Sequence, residues 1–490
     1  MGGLTPKVFL KRVCTEHGEA SVCIASDARF YWLAKGKAGN ACCGGGHACR
    51  ASDNAPAGTL GRNAEPGDDL GVMEKLSTCL ALIEIVNSCN LSCPTCYADS
   101  PVGTGHRLDA VPLDDLQRRI QGVIDRKGKI EILQLSGGEP TLHPQFFELL
   151  RWLQDHPQID YVLLNTNGVR IATDEPFATE LGAAFRYGSF QLYLQFDGVQ
   201  EAGQRSLRSA DLRATRECCL QRCREMNIPV TLAMTVTPEN LAYTWTAIEF
   251  GLGWPNVRGI CFQPIFGSGR VTLLPGSIEH RTSNAEHPIT KRPSPHPDPL
   301  PSHQNGSGEG TAGERQPHSK TLPASSASAI QSADSAANLP SPVRLNTADV
   351  ILAAVGQSGG KLRFEDFTPL PCGDPNCAAI GYLLKVNGQV RSVSDFIDFT
   401  SVQGFLKDKV RYRLEDLMKC GCESEPLGEL LKKFELDETH TFRLFIKPFM
   451  DAWTWDEDRI DRCCTHVIRP DGKLDSFCRY YSGFADCKTK

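Results

Sequence analysis

An open, parallel α/β barrel is the fold that the sequence predicts, on three observations. Between about residues 78 and 269, apolar runs of β type alternate with stretches whose apolar residues recur three and four positions apart, as on one face of a helix. Six runs with about five helices between them make successive βα units, which call for a parallel sheet. No Gly-rich phosphate-binding turn follows the first run, so a partial (βα) barrel fits better than a doubly wound nucleotide-binding sheet.

The strand-like runs cover residues 80–86, 130–135, 161–164, 190–196, 229–236 and 257–262. Helical periodicity marks residues 113–124, 146–153, 210–226 and 241–252, with a weaker helix at 176–181. Residues 281–342 differ from everything around them: 10 Pro, 11 Ser and 4 Gly, with no aromatic residue and no cysteine. That composition buries too little apolar surface to offset the entropy of ordering, so the segment reads as a disordered linker. The predicted organisation is a short cysteine-containing N-terminal extension (1–77), the barrel core (78–280), the linker (281–342) and a cysteine-rich α+β C-terminal domain (343–490).

Composition narrows the partners. The chain has 490 residues, with 52 Lys and Arg against 58 Asp and Glu. This slightly acidic balance argues against nucleic acid, whose phosphates demand a basic surface. No apolar stretch approaches the length of a membrane span, and the run at 80–86 is broken by Glu84. The N-terminus carries Lys7, Lys11 and Arg12 around only three apolar residues, too few for a secretion signal, so a cytoplasmic location is expected. In that compartment 21 cysteines point to metal or redox chemistry rather than to a disulfide scaffold.

The sharpest motif follows the first strand. Cys89, Cys93 and Cys96 form a C-x3-C-x2-C loop at a strand's C-terminal end, where barrel active sites are built. Three thiolates on a [4Fe–4S] cluster leave one iron open to an outside ligand. The alternatives are a zinc knuckle or reduced core thiols, although structural zinc takes a closed set of four ligands. The second strand runs into Ser136, Gly137, Gly138, Glu139 and Pro140. Its glycines let the backbone approach a ligand, and Glu139 can accept from an ammonium group. Asn165 and Asn167 follow the third run, and Gln195 and Asp197 follow the fourth. These four read either as ligand contacts or as ordinary Asn-Gly and Asp-Gly turns. Gln263 and Arg270 follow the sixth run and are placed to face the same mouth.

The cysteine loop and the Gly-Gly-Glu-Pro segment together resemble the radical S-adenosylmethionine (radical SAM) superfamily. That resemblance implies a partial (β/α)6 TIM-like barrel, a [4Fe–4S] cluster on Cys89, Cys93 and Cys96, and S-adenosylmethionine held with help from Gly137, Gly138, Glu139 and Pro140. It also implies reductive cleavage of the sulfonium to a 5′-deoxyadenosyl radical that removes hydrogen from an unactivated carbon. Thr95 stands where many members carry an aromatic residue, and Tyr97 is placed to supply that wall.

A narrower resemblance rests on Cys14-Thr15-Glu16-His17-Gly18, on Phe262 to Arg270, on Pro371-Cys372-Gly373-Asp374-Pro375-Asn376-Cys377, and on Phe449-Met450-Asp451-Ala452 with Cys463, Cys464, His466 and Cys478. These look like the tetraether lipid synthase group, also described as dihydropterin methyltransferase-like. On that resemblance Cys372, Cys377, Cys463, Cys464 and Cys478 are candidates for additional iron–sulfur clusters. The CxxC pair expected before Cys14 is missing, which leaves the N-terminal extension a degenerate rubredoxin-like segment. Cys218, Cys219 and Cys223 lie on a predicted helix and read as packing residues.

The leading expectation is C–C coupling on a lipid alkyl chain, with peripheral membrane contact. Methylation of a dihydropterin or related small molecule is the second, and an iron–sulfur carrier without turnover the third. An electron donor such as flavodoxin or ferredoxin is the expected protein partner. Excision of residues 281–342 is expected to change unfolding stability by roughly 1 kcal/mol or less, since closing a longer or shorter loop costs little. Chemical denaturation of the excised and intact proteins checks this.

Overall fold

The computed structural model describes residues 5–15, 18–32, 76–186, 188–271, 344–370, 373–386, 389–396 and 438–482. These belong to one compact unit formed by Met1–Leu274 and Ser341–Lys490, while Pro275–Pro340 make up a second. The segment read as a linker, 281–342, lies outside the described residues.

An N-terminal antiparallel hairpin, β1 (Val8–Cys14) and β2 (Gly18–Ala25), precedes the core. The core then runs β3 (Leu80–Val86), α1 (Leu113–Lys127), β4 (Leu133–Gly137), α2 (Phe146–Asp155), β5 (Val162–Thr166), α3 (Val169–Thr173), α4 (Glu175–Ala184) and β6 (Phe190–Gln195). It continues through α5 (Glu201–Arg208), α6 (Arg213–Glu225), β7 (Val230–Val236), α7 (Thr244–Leu252) and β8 (Val257–Pro264). All six strands pair in parallel in sequence order from β3 to β8, giving the partial (β/α)6 TIM-like barrel expected. The helices form where their apolar spacing requires. In α1, Leu113, Leu116, Ile120, Val123 and Ile124 make one buried stripe, Asp114 and Asp115 sit in the positive first turn, and Gly128 ends the helix at φ +96°. Two helices, α3 and α5, were not predicted. Both are short, and α5 buries Gly203, Gln204 and Arg208 with only Leu207 as an apolar anchor, so no periodic signal marks it.

After residue 344 come α8 (Thr347–Gln357), β9 (Thr368–Pro369), β10 (Ala379–Val386), β11 (Gln389–Ser392), β12 (Thr441–Ile446), α9 (Glu457–Asp461), β13 (Thr465–Ile468), β14 (Leu474–Ser476) and α10 (Phe477–Tyr481). These strands extend the barrel sheet itself. β12 joins β8 in parallel at one edge and β13 joins β3 in parallel at the other, so the C-terminal segment flanks the six-stranded core on both sides. Strand periodicity then sorts the side chains. Ile83, Leu135, Leu164, Leu192, Leu232 and Phe262 point toward the helices and are buried in the main core. Their alternates, among them Leu82, Gln134, Leu163, Tyr193, Ala233 and Gln263, line a cavity inside the barrel. That cavity holds about 280 Å³, where a closed barrel would be filled by side chains.

Among the described residues no helix is long and apolar enough to cross a membrane. Ile83→Ala, in the fully buried centre of β3, is expected to destabilise the protein by about 2–5 kcal/mol, the usual loss for emptying such a site, measured by urea unfolding.

Candidate active site

The cysteine loop leaves the C-terminal end of β3 and is pinned from several sides. Arg270 donates from Nη1 to the Cys93 carbonyl (3.0 Å) and from Nε to Asp99 (2.8 Å), and its backbone N–H reaches the Cys96 carbonyl (2.9 Å). Thr95 Oγ1 donates to the Leu207 carbonyl (3.0 Å), tying the loop to α5. Gly269, at φ +55°, packs so closely on the carbonyls of Cys96 and Tyr97 that a Cβ there would collide with backbone. The second motif packs on the loop in the same way. A Cβ on Gly137 would strike the Val86 carbonyl, and one on Gly138 the Ser88 carbonyl. The two glycines therefore serve the contact between adjacent strand ends, and both also line the barrel cavity.

Cys89, Cys93 and Cys96 line one end of the barrel cavity. Burial, then the nearby Glu139 charge, pushes the Cys89 thiol up to about 12. Backbone N–H groups answer part of that penalty: Leu91 N–H donates to Cys89 Sγ (3.4 Å) and Ser100 N–H to Cys96 Sγ (3.4 Å). Cys89 and Cys93, both pushed up by burial, are held as thiolates when a metal supplies positive charge. No group of three His, Cys, Asp or Glu among the described residues is tight enough for a single metal ion.

Glu139, almost fully buried, has both oxygens occupied: Oε1 accepts from Thr141 Oγ1 (2.6 Å) and Thr166 Oγ1 (2.7 Å), and Oε2 from the Asn167 N–H (2.8 Å). Pro140 opens a short turn beneath it. Asn165 donates to Ser136 Oγ (3.1 Å) and Asn167 to Asn90 Oδ1 (2.7 Å), so the ends of β3, β4 and β5 form one hydrogen-bonded rim. Gln195 lies at the end of β6 against Arg208. Asp197, fully buried at φ +61°, is engaged on both oxygens, by Arg208 Nε (2.6 Å) and Nη2 (2.9 Å) and by the Thr235 N–H (3.1 Å). Burial alone would raise the Asp197 carboxyl, but the Arg208 charge and hydrogen bonds overcome it and hold the group below the usual carboxylate range. Gln263 faces inward and donates to the Tyr193 hydroxyl (3.0 Å). Tyr97 does form an aromatic wall, edge-on to Tyr481 with centroids 4.9 Å apart and tilted against Phe477 at 5.7 Å.

A second set of sulfurs gathers around Lys447, which lines the same cavity. Cys377, Cys463, Cys464 and Cys478 all sit near enough to the buried Lys447 to act on its charge, and Cys377 and Cys478 act likewise on Arg459. Burial would lower the Lys447 ammonium, yet the four sulfurs hold it above its ordinary range, while burial pushes Cys463 up to about 12. Two buried cations beside four thiols are what a dianionic cluster needs for compensation. The structure thus brings together four of the five C-terminal candidates; Cys372 lies outside the described residues. Cys14 is exposed at the end of β1, Cys219 and Cys223 are buried in the core, and Cys42, Cys43 and Cys49 lie outside the described residues. Sequence reasoning missed Arg208 and Lys447. Lys447 had a signal, since Arg443, Phe445 and Lys447 share the alternating inward register that continues β12; Arg208 had none.

Residues 83–251 match the family model of the radical SAM superfamily. The chain is 25% identical over 543 residues to a protein of Methanocaldococcus jannaschii named 7,8-dihydro-6-hydroxymethylpterin dimethyltransferase, covering 97% of this chain and 88% of that one. It is 36% identical over 87 residues to the GTP 3′,8-cyclase of Chlorobaculum tepidum, covering 18% of this chain and 25% of that relative. Among solved structures, Streptococcus suis SuiB bound to S-adenosylmethionine aligns at 15% identity and a TM-score of 0.32, over 38% of this chain and 40% of that one. Gly269→Ala is expected to lower bound iron at least several-fold after anaerobic reconstitution while leaving far-ultraviolet circular dichroism unchanged, because the added Cβ displaces the loop and not the sheet.

Proposed function

Because the chain carries a radical SAM domain across residues 83–251, we propose that it methylates a small, polar, hydrogen-bonding heterocycle of the dihydropterin kind. When bound, the [4Fe–4S] cluster supplies the electron that cleaves S-adenosylmethionine to a 5′-deoxyadenosyl radical, which then abstracts hydrogen. In this reading Cys89, Cys93 and Cys96 hold the cluster, and the rim of Gly137, Gly138, Asn165, Asn167 and Gln195 orients the cofactor. Glu139 and Asp197 act one step back, by fixing that rim. Cys377, Cys463, Cys464 and Cys478, compensated by Lys447 and Arg459, form an additional iron–sulfur site. Electrons come from an external one-electron carrier of the flavodoxin or ferredoxin type.

The observation that carries the substrate class is the cavity's inward face. Gln134, Thr231, Thr235, Gln263, Arg443 and Lys447 present donors and acceptors from strands of the sheet and the residue just beyond β12. They stand among mostly apolar and aromatic side chains, a mixture that suits a flat ring with hydrogen-bonding edges. The apolar part of that lining also suits an alkyl chain, so the coupling of lipid tails, foremost in the sequence reading, stands as the second reading. The near full-length similarity to a protein named for a dihydropterin supports the heterocycle.

Product mass spectrometry after anaerobic turnover with a dihydropterin distinguishes the readings: the proposed one gives a product heavier by one-carbon units, whereas joined substrate molecules favour coupling. Cys93→Ala is expected to reduce 5′-deoxyadenosine formation at least a hundredfold while retaining the iron of the second sulfur site. Undiminished cleavage in that variant contradicts the ligand assignment.

A further inference from the structure

The three sulfurs of the cysteine loop do not share one environment. Cys89 and Cys96 accept from neutral backbone amides, but Cys93 shares the cavity wall with the Arg208 guanidinium, which the Thr95–Leu207 hydrogen bond keeps beside the loop and whose charge acts on the sulfur. Arg208 is only 5% exposed and its partner Asp197 is fully buried. Its remaining donors are spoken for: Nη2 reaches Thr235 Oγ1 (3.1 Å), and Gln195, in its hydrogen-bonded orientation, accepts from Nη1 (3.0 Å). Arg216, also buried, is anchored to the Gln195 carbonyl (2.8 Å) and adds a second positive charge toward Asp197 and Cys93. Two guanidinium groups against one carboxylate leave this corner of the site with an excess of positive charge, in a region where water does not screen it.

We infer that Arg208 is a positioning residue that sets the reduction potential of the cluster through Cys93. The inference rests on the assignment of Cys93 as a cluster ligand. One-electron reduction adds a negative charge to the cluster, so a buried cation beside a ligand sulfur stabilises the reduced form more than the oxidised one and raises the potential. Asp197 holds the guanidinium in its fixed orientation and at the same time offsets part of its field. Deleting the cation and deleting the anion therefore move the potential in opposite directions.

The test is the midpoint potential of the reconstituted cluster, followed by electron paramagnetic resonance in the absence of S-adenosylmethionine, with iron and sulfide counted on the same samples. Arg208→Gln is expected to shift the potential lower, Asp197→Asn to shift it higher, and Arg208→Lys to stay nearer the intact protein than Arg208→Gln. Equal potentials in the first two variants, or shifts of the same sign, overturn the role of Arg208; a role limited to holding S-adenosylmethionine gives that first result. Should Arg208→Gln fail to retain iron, Asp197→Asn decides alone, and a potential at or below that of the intact protein overturns the inference. An intact protein that assembles no cluster at the three cysteines sinks the ligand assignment itself, which is a separate outcome.

Discussion

A three-cysteine loop, with Cys93 buried and Cys89 and Cys96 half-buried, that packs backbone to backbone against its neighbours is the constraint on which the rest of the site depends. A thiol out of water resists becoming a thiolate, and Cys89 shows how far, at about 12. The loop nonetheless has to hold its shape closely, because ligands to one cubane tolerate little displacement. Gly137, Gly138 and Gly269 solve the geometric half of the problem by allowing the ends of β4 and β8 to close on it. Arg270 and Thr95 lock it in place. The electrostatic half falls to amide N–H groups and to the Arg208–Asp197 pair. Such a pair is a poor source of net stability, yet removing one partner typically costs about 3–5 kcal/mol, which keeps the other in register.

The way the sheet is completed explains how the cavity acquires its character. With β12 on one flank and β13 on the other, the C-terminal segment carries Arg443 and Lys447 into the barrel's inward face and sets α10 across one end. Phe477 and Tyr481 of that helix stack around Tyr97, while Cys478 of the same helix joins the second sulfur group. The loop cysteines and Cys464 of the second sulfur group line the same cavity as Tyr97 and Phe477. The cavity therefore carries polar strand residues on one face and aromatic side chains on another.

Much of this was legible in the sequence because it depends on local spacing. The six core strands follow from apolar runs, and the cysteine and glycine motifs stand at strand ends because βα units place them there. What stayed hidden depends on contacts between distant segments. Nothing local announces that Arg208, on a short helix with a polar buried face, reaches back to Asp197 and Cys93. Likewise Asp197-Gly198 looks like any turn, and its buried ion pair emerges only when β6, α5 and β7 meet. The C-terminal strands were read as a separate domain because their short runs carry no mark of the edge they join. The convergence of Cys377 with Cys463, Cys464 and Cys478 spans roughly a hundred residues of chain, a distance over which spacing rules say nothing.

The central claim, an iron left open by a three-cysteine loop, is tested most directly by Mössbauer spectroscopy of the Cys372, Cys377, Cys463, Cys464 and Cys478 alanine variant, reconstituted with 57Fe so that only the barrel cluster contributes. The account predicts that adding S-adenosylmethionine changes the spectrum of one iron in four and leaves the other three as they were. Four irons that all keep their parameters when the cofactor is added would contradict it.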